Sequence, residues 1–229
     1  MTDLESLKKQ AALKALEHVQ SNMLVGLGTG STAKYFIAGL GEKLAKGDLK
    51  NISAIATSKA SEDQAIGLGI PMVELEGQSI DLAIDGMDEV DPHLNAIKGL
   101  GGALTREKMV ESCARFFILI GDETKTVQNI GEKAPIPVEV VQFAWKATQK
   151  KLEALDTRPV LRLKDGKPFV TDNGNFILDC HIRPPREVFS LAQTLSATPG
   201  VVEHGLFLDM AQIAYIATQT DILVMTKDS

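Results

Sequence analysis

The alternation of short apolar segments with amphipathic ones constrains the fold of the first 130 residues more than any other feature. Apolar segments typical of buried strands occur at 22–28, 52–56, 80–84 and 116–120. Helical patterns occur at 4–19, after the loop 29–32, at 61–68 and at 106–114. Alternating strands and helices predict an α/β fold with βαβ units and a mainly parallel sheet. Because ligands bind at the carboxyl ends of such strands, polar residues there are candidate functional residues.

The pattern changes after residue 131. Strands are predicted at 135–141, 159–163, 169–171, 176–180 and 201–207, and helices at 145–155 and 187–197. Two turns, at 164–166 and 172–175, separate the middle strands. This order of elements suits a small split-βαβ unit. Two late strands, at 211–217 and 222–225, are free to return to the first sheet.

The overall charge and hydropathy limit the possible partners. A net charge of −6 argues against a nucleic-acid-binding protein, although a local basic pocket for one phosphate is still compatible with it. The sequence contains no apolar segment long enough to span a membrane and no secretory signal at its N-terminus, so we expect a cytoplasmic protein. Two distant cysteines outside any CxxC pattern are expected to be reduced.

A glycine loop, Gly26-Leu-Gly-Thr-Gly-Ser-Thr32, lies between the first strand and the next helix. Loop N–H groups and a helix N-terminus in this setting bind anions. The GxGxxG pattern is absent and the second strand ends without a carboxylate, so a dinucleotide is disfavoured. A phosphate monoester fits better, with hydroxyl donors from Thr29, Ser31 and Thr32, and with Ser58 and Lys59 nearby. The alternative is a tight turn capped by Ser or Thr.

An acidic segment, Asp85-Gly-Met-Asp-Glu-Val-Asp91, follows the third strand. One interpretation is an Asp-Gly turn with solvated carboxylates. A metal site is disfavoured, because the calcium-loop spacing is absent and the four histidines are scattered. A third interpretation is catalytic, since two neighbouring carboxylates can have their pKa values driven apart.

The segment Lys98-Gly-Leu-Gly-Gly-Ala-Leu-Thr-Arg-Glu107 combines a cation, three glycines and a carboxylate at a predicted helix start. These groups are suited to removing a proton from carbon and stabilising the resulting anion. The alternative is structural, with Thr105 capping the helix and Glu107 complementing the helix dipole. Lys98 follows apolar residues, an unusual position for a solvated charge.

Taken together, these segments resemble one family. The matching motifs are Gly28–Thr32, Asp85–Glu89, Lys98–Lys108, Lys125 after Gly121-Asp122, Pro137–Val140, Val170–Asn175 and Pro199–Val202. They occur in the same order as in ribose-5-phosphate isomerase of the A type and cover nearly the whole chain.

The resemblance implies a metal-independent aldose–ketose isomerase of the pentose phosphate pathway that needs no cofactor. It implies a Rossmann-like catalytic domain (1–130 and 207–229) and a ferredoxin-like small domain (131–206), assembled as a homodimer or tetramer. Glu107 would move a proton between C2 and C1, Asp85 would assist ring opening, and Lys98 would stabilise an enediolate. Asp88 would orient the sugar hydroxyls or Lys98.

The substrate-binding residues implied by the resemblance come from four segments. They are Gly28, Thr29, Gly30, Ser31 and Thr32; Asp85, Gly86, Met87 and Asp88; Lys98, Gly99, Leu100 and Gly101; and Lys125. Lys8 is a further candidate for the phosphate.

Two residues depart from the family pattern. Met87 stands where the family usually has an alanine. Leu100 stands within a run that the family usually writes as successive glycines, and a leucine adopts a positive φ only with difficulty. The alternative functions are a sugar-phosphate sensor domain without catalytic activity, and a relative of CoA transferases or sugar-phosphate deaminases.

Overall fold

The computed structural model describes residues 3–227, which form two main sheets with helices packed against them. The helices are α1 (Leu4–Leu16), α2 (Ala33–Lys46), α3 (Lys59–Gly67), α4 (Leu104–Ser112), α5 (Trp145–Glu153) and α6 (Val188–Ser196), with a 3-10 turn at Glu123–Lys125. The strands up to the middle of the chain are β1 (Leu24–Leu27), β2 (Ser53–Ala56), β3 (Leu82–Gly86), β4 (Glu89–Val90), β5 (Ala96–Ile97), β6 (Phe117–Asp122) and β7 (Ile136–Val140). The later strands are β8 (Arg158–Leu161), β9 (Leu163–Lys164), β10 (Lys167–Pro168), β11 (Phe176–His181), β12 (Val201–His204), β13 (Leu206–Phe207), β14 (Ile213–Ala217) and β15 (Ile222–Thr226).

The larger sheet has the strand order β15-β14-β6-β3-β1-β2. All neighbouring pairs are parallel except β14 and β15, so the α/β class predicted from the alternation is confirmed. The central strands β1, β3 and β6 are almost entirely buried. Phe36 and Leu40 of α2 pack into the same core as Leu27 and Ile84. The two late strands do return to this sheet.

The smaller sheet is antiparallel, with the order β12-β7-β11-β8. Along the chain its elements run β7-α5-β8-β11-α6-β12, which is the ferredoxin-like arrangement. Its core is formed by residues from every element, including Val138, Leu152, Leu178 and Leu195. We propose that the two sheets mark two domains, 1–130 with 207–229 and 131–206.

Two strand predictions in the second half were wrong. Residues 169–171 form no strand, because β9 pairs with β10 and Thr171 instead closes a turn by donating its N–H to Asn175 O. The segment 201–207 is divided at Gly205 into β12 and β13, which belong to different sheets. Gly205 donates its N–H to Pro137 O at 2.7 Å and accepts one from Lys98 N at 2.9 Å, so the chain changes partners at this residue.

Candidate active site

The candidate site lies at the carboxyl ends of β1 and β3, where the strand order of the larger sheet reverses. Ligands of open α/β sheets bind at such a switch point. A cavity of about 250 Å³ opens there. It is lined by Thr29, Gly30, Ser31, Thr32, Gly86, Met87, Asp88, Lys98, Gly99, Gly101, Glu107 and Lys125. The structure therefore brings together residues of all four segments that the sequence singled out.

The glycine loop brings the backbone against a carboxylate. A Cβ at Gly28 would lie 2.1 Å from Asp85 Oδ1, so only glycine allows this approach. Gly30 has a φ of 110°, a conformation that glycine adopts without strain. The loop then enters α2 at Thr32, whose side chain makes no capping hydrogen bond. The start of the helix lies next to the cavity, which Gly30, Ser31 and Thr32 line.

The hydroxyl of Thr29 is held by a cluster behind the loop. Thr29 Oγ1 lies 2.7 Å from Thr57 Oγ1, 2.8 Å from Ser58 Oγ and 3.3 Å from Ser61 Oγ. Ser58 reaches the loop as the sequence suggested, but as a partner of Thr29 and the cap of α3 and not as a cavity-lining residue. Ser31 and Thr32 also line the cavity, and among the described residues their hydroxyls make no hydrogen bond to another side chain.

Lys98 is buried at the base of the cavity, with only 2% of its side chain exposed. Its Nζ lies 2.8 Å from Asp85 Oδ2, 3.4 Å from Glu111 Oε1 and 3.8 Å from Glu107 Oε1. It also donates to Gly86 O at 2.6 Å. Burial alone would lower the pKa of Lys98, but the three carboxylates raise it above the usual value. The lysine is therefore a fixed cation.

Glu107 lies in the first turn of α4 and is 3% exposed. Its Oε2 is buried without a hydrogen-bond partner among the described residues. Burial raises the pKa of Glu107 to about 8, opposed by Lys98 and reinforced by Asp85 and Asp88. A carboxyl with a pKa near neutrality and an unpaired oxygen facing a cavity is suited to general acid–base chemistry.

Asp85 lies behind Lys98 and does not line the cavity. Its Oδ1 accepts the N–H groups of Thr29 at 2.8 Å and Gly86 at 2.6 Å, while Oδ2 faces Lys98. In this geometry Oδ1 is held by the backbone and Oδ2 by the Lys98 ammonium. Asp88, by contrast, lines the cavity, and burial raises its pKa against the opposing effects of the Leu100 amide and Lys98.

In the loop after Lys98, glycines and not Leu100 adopt the positive φ values. The positive φ values fall at Gly99 (101°) and Gly102 (87°), and Leu100 is not among the residues with a positive φ. Leu100 N donates to Asp88 Oδ2 at 2.9 Å, so its amide holds Asp88. The Leu100 side chain is 43% exposed and does not line the cavity.

The remaining predicted residues divide between the cavity and its surroundings. Lys125 lines the cavity from the 3-10 turn. Met87 also lines it, and its side chain is buried next to Gly121. Lys8 does not line it, and pairs with Glu5 at 2.7 Å on α1. The backbone N–H of Lys59 donates to Asp172 Oδ2.

The sequence did not identify two residues that contact this site. Glu111 lies one turn after Glu107 on α4, and the i, i+4 spacing of two glutamates was the available signal. Arg162 follows β8 and donates to Gly99 O at 2.8 Å and Leu100 O at 3.0 Å, while its guanidinium pairs with Asp179. No local pattern connects Arg162 to residues more than 60 positions earlier.

Within residues 3–227, no group of three or more His, Cys, Asp or Glu side chains is arranged to hold a metal ion, and the ammonium of Lys98 occupies the centre of the carboxylates. Among the helices described, none has the length and apolar character needed to cross a bilayer.

A doubly wound sheet with a glycine loop, a buried cation and a buried carboxyl group around one cavity is the architecture of an enzyme that acts on a small molecule. The model of the family described as ribose 5-phosphate isomerase A (phosphoriboisomerase A) matches residues 53–221. A relative named ribose-5-phosphate isomerase A, from Deinococcus radiodurans, is 47% identical over 98% of this chain and 100% of its own length. The chain belongs to the ribose 5-phosphate isomerase A family.

Solved structures agree with this assignment. Ribose 5-phosphate isomerase from Plasmodium falciparum matches with a TM-score of 0.96 and 38% identity, covering 98% of this chain and 100% of that one. A D-ribose-5-phosphate isomerase in complex with phospho-erythronic acid matches with a TM-score of 0.95 and 41% identity, over 98% and 100% of the two chains. These matches extend over both sheets.

Proposed function

We propose that this protein interconverts D-ribose 5-phosphate and D-ribulose 5-phosphate through an enediolate. The observation that carries the proposal is the placement of Glu107 Oε2, buried and unpaired at a cavity that also contains the Lys98 ammonium. An aldose–ketose isomerisation needs a base that takes a proton from C2 and returns it to C1. It also needs a positive group for the charge that develops on the O1 and O2 oxygens.

The phosphate is proposed to bind at the glycine loop. Thr29, Gly30, Ser31 and Thr32 of this loop line the cavity, and so does Lys125. Helix N-terminal amides and hydroxyls satisfy phosphate oxygens well. Binding energy from the phosphate then positions C1 and C2 at Glu107.

Lys98 is proposed to stabilise the enediolate, with Asp85 as its positioning residue. Asp85 is held by two backbone N–H groups and faces the ammonium at 2.8 Å, so it fixes the cation without contacting the sugar. Asp88 is proposed to exchange the proton needed for ring opening, because it lines the cavity and its pKa is raised by burial. This assignment replaces the one expected from the sequence for Asp85.

The test is incubation of the pure protein with ribose 5-phosphate and measurement of ribulose 5-phosphate, with and without EDTA. We expect the same turnover in both. Loss of activity in EDTA would contradict a metal-independent reaction, and absence of ketose would contradict the proposed function. In D₂O we expect deuterium at C1 of the ketose, since Glu107 exchanges protons with solvent when the cavity opens.

Three finer proposals concern the setting of the reaction. We propose that the protein acts in the pentose phosphate pathway in the cytoplasm, with no nucleic acid or membrane as partner. We also propose a homo-oligomer, a dimer or a tetramer. The edge strand β15 supports it, because Leu223 and Val224 are 50% and 48% exposed there. Light scattering of the purified protein tests the assembly, and a monomer at micromolar concentration would contradict it.

A further inference from the structure

Glu111 is a buried carboxyl for which the proposed reaction has no use. It lies on α4 one turn after Glu107, and its side chain is 1% exposed. Neither of its carboxyl oxygens has a hydrogen-bond partner, although Oε1 lies 3.4 Å from Lys98 Nζ. Asp85 Oδ2 next to it also lacks one. Within residues 3–227, these three oxygens and Glu107 Oε2 are the only buried side-chain nitrogen or oxygen atoms without a hydrogen-bond partner.

Other buried carboxylates of the protein have donors for their oxygens. Glu89 is fully buried and accepts the backbone N–H groups of Gly131, Lys133 and Ala134. Glu139 is also fully buried and accepts from the side chains of Thr105, Thr171, Asn173 and Asn175. Buried carboxylates without donors are costly, so the lack of donors at Glu111 needs a specific explanation.

The charges around Glu111 do not balance if every carboxyl is ionised. Lys98 supplies one positive charge, and Asp85, Glu107 and Glu111 would supply three negative charges around it. Lys108 on the same helix is the other cation near Glu111, but it is committed to Glu203 at 2.8 Å and to the backbone of His204. Like charges at this spacing in a dry site force protons onto some of the carboxyls.

One proton on Glu111 resolves both observations. Asp85 Oδ2 and Glu111 Oε1 converge on the same ammonium, at 2.8 Å and 3.4 Å from Lys98 Nζ. A protonated Glu111 becomes a donor, and its O–H then pairs with Asp85 Oδ2, which otherwise faces only the Lys98 ammonium. Its second oxygen can face the Lys98 ammonium as a neutral acceptor. Burial raises the pKa of Glu111 well above its usual value, opposed by Lys98 and reinforced by Asp85.

We propose that Glu111 is a positioning residue that stays protonated at neutral pH and donates a hydrogen bond to Asp85 Oδ2. The donated bond keeps the Asp85 carboxyl directed at Lys98. Because Glu111 carries no charge, Lys98 is left with enough positive field to stabilise an anion in the cavity. The inference concerns the resting protein, and its kinetic consequences rest on the proposed isomerase function.

The protonation state is tested directly on the whole protein by ¹³C NMR of carboxyl-labelled glutamate. Comparison with Glu111→Gln identifies the Glu111 signal as the one that disappears. We expect this signal at the chemical shift of a protonated acid from pH 6 to pH 8. A carboxylate shift at pH 7 would overturn the proposal, whether or not the protein isomerises ribose 5-phosphate.

The positioning role is tested by two variants of similar size. Glu111→Leu removes the donor, and we expect kcat to fall by about tenfold or more, because a hydrogen bond to an ionised Asp85 is lost. Glu111→Gln offers an amide N–H₂ to Asp85 and an oxygen to Lys98, so we expect it to recover most of that loss. Equal kcat values in the two variants would overturn the role of the donated bond.

The pH profile separates a neutral Glu111 from an ionised one. With a neutral Glu111, the acid limb of kcat/KM in Glu111→Gln shifts by less than about half a pH unit from the wild type. If Glu111 were ionised, removing its charge would ease ionisation of Glu107 and lower the apparent pKa by about one unit or more. Such a shift would overturn the proposal.

Discussion

Glu107 illustrates how a single carboxyl is prepared for catalysis by what surrounds it. One oxygen lies 3.8 Å from the Lys98 ammonium, and the other is buried without a partner beside the cavity. Burial favours its protonated form and the lysine favours its ionised form, so small changes in either effect move its charge state. A residue balanced in this way can both take and return a proton.

Replacing Glu107 by glutamine removes the base and retains its shape. We expect turnover to fall by about 10²–10⁴-fold, the range associated with a positioned general base. The affinity for ribose 5-phosphate should change little, because the proposed phosphate site is intact. Steady-state kinetics and calorimetric titration measure the two quantities, and near-normal turnover would exclude Glu107 as the base.

The pKa of Glu107 also predicts the pH dependence of the reaction. The base must be ionised to accept a proton, and burial raises the pKa of Glu107 to about 8 in the free protein. We therefore expect kcat/KM to rise with pH and to level off above pH 8, since this parameter reports ionisation of the free enzyme. A profile that is flat from pH 6 to pH 9 would show that Glu107 is already ionised at pH 6.

At the residue scale the sequence predicted the cavity-lining charges, because each sits in a short motif after a strand. It predicted Lys98, Glu107 and Asp88 in this way. It did not predict that Asp85 would be turned behind the lysine, because side-chain direction at the end of β3 depends on the Thr29 amide from another strand. The sequence did not identify Glu111 because its role depends on its being buried. A glutamate within a helix carries no sequence pattern that shows burial.

The turn between β1 and α2 depends on a glycine for its approach to Asp85. Changing Gly28 to alanine places a Cβ 2.1 Å from Asp85 Oδ1, so either the loop or the carboxylate must move. We expect kcat/KM to fall by about 100-fold or more, consistent with the cost of displacing a positioned group by 1 Å.

The matched control is Gly67→Ala, in α3, where an added Cβ meets nothing within 4 Å. It is expected to keep wild-type kinetics and to be slightly more stable, because alanine favours helices over glycine. Equal activity of the two variants would show that the close approach of Gly28 has no functional role.

The loop from Gly99 to Gly102 is fixed by an arginine of the smaller sheet. Arg162 is anchored by Asp179 and donates to the carbonyls of Gly99 and Leu100. Arg162→Ala frees this loop, and we expect kcat/KM to fall by about tenfold, the effect of losing a hydrogen bond made by a charged group.

Arg158→Ala is the control, because Arg158 is exposed on the adjoining strand β8 and does not line the cavity. It should leave the kinetics unchanged. If the two arginine variants behave alike, the contact between Arg162 and the loop does not support the site.

At the element scale the sequence predicted most helices and strands to within a few residues. Its errors came from pairing. The run 201–207 is apolar enough for one strand, but its halves pair with different sheets because Gly205 contacts both Pro137 and Lys98. The run 169–171 loses its strand because Thr171 turns toward Asn175 and Glu139. Such long-range partners leave no periodic signal in the sequence.

The buried carboxyls make the stability of the whole molecule depend on pH. Burial raises the pKa of Glu107 to about 8 in the folded protein, whereas the unfolded chain releases this proton near the usual pKa of 4.5. This contribution to stability is fully present below the unfolded value and is lost as the pH rises toward 8.

We therefore expect the difference in Tm between wild type and Glu107→Gln to change steadily between pH 5 and pH 8.5, with the wild type losing more stability. Thermal unfolding monitored by circular dichroism measures it. Parallel Tm curves for the two proteins would show that the pKa of Glu107 is not raised in the folded state.

The contact between Lys98 and Gly205 has a consequence for biosynthesis. The N–H of Lys98 donates to Gly205 O. The backbone of the buried lysine therefore gains this hydrogen bond only after the ribosome has added a residue 107 positions later. At about 5–20 residues per second, a ribosome needs roughly 5–20 seconds to bridge this interval. A nascent chain can form the parallel strands β1, β2, β3 and β6 during that time, yet it carries an unfinished cation site.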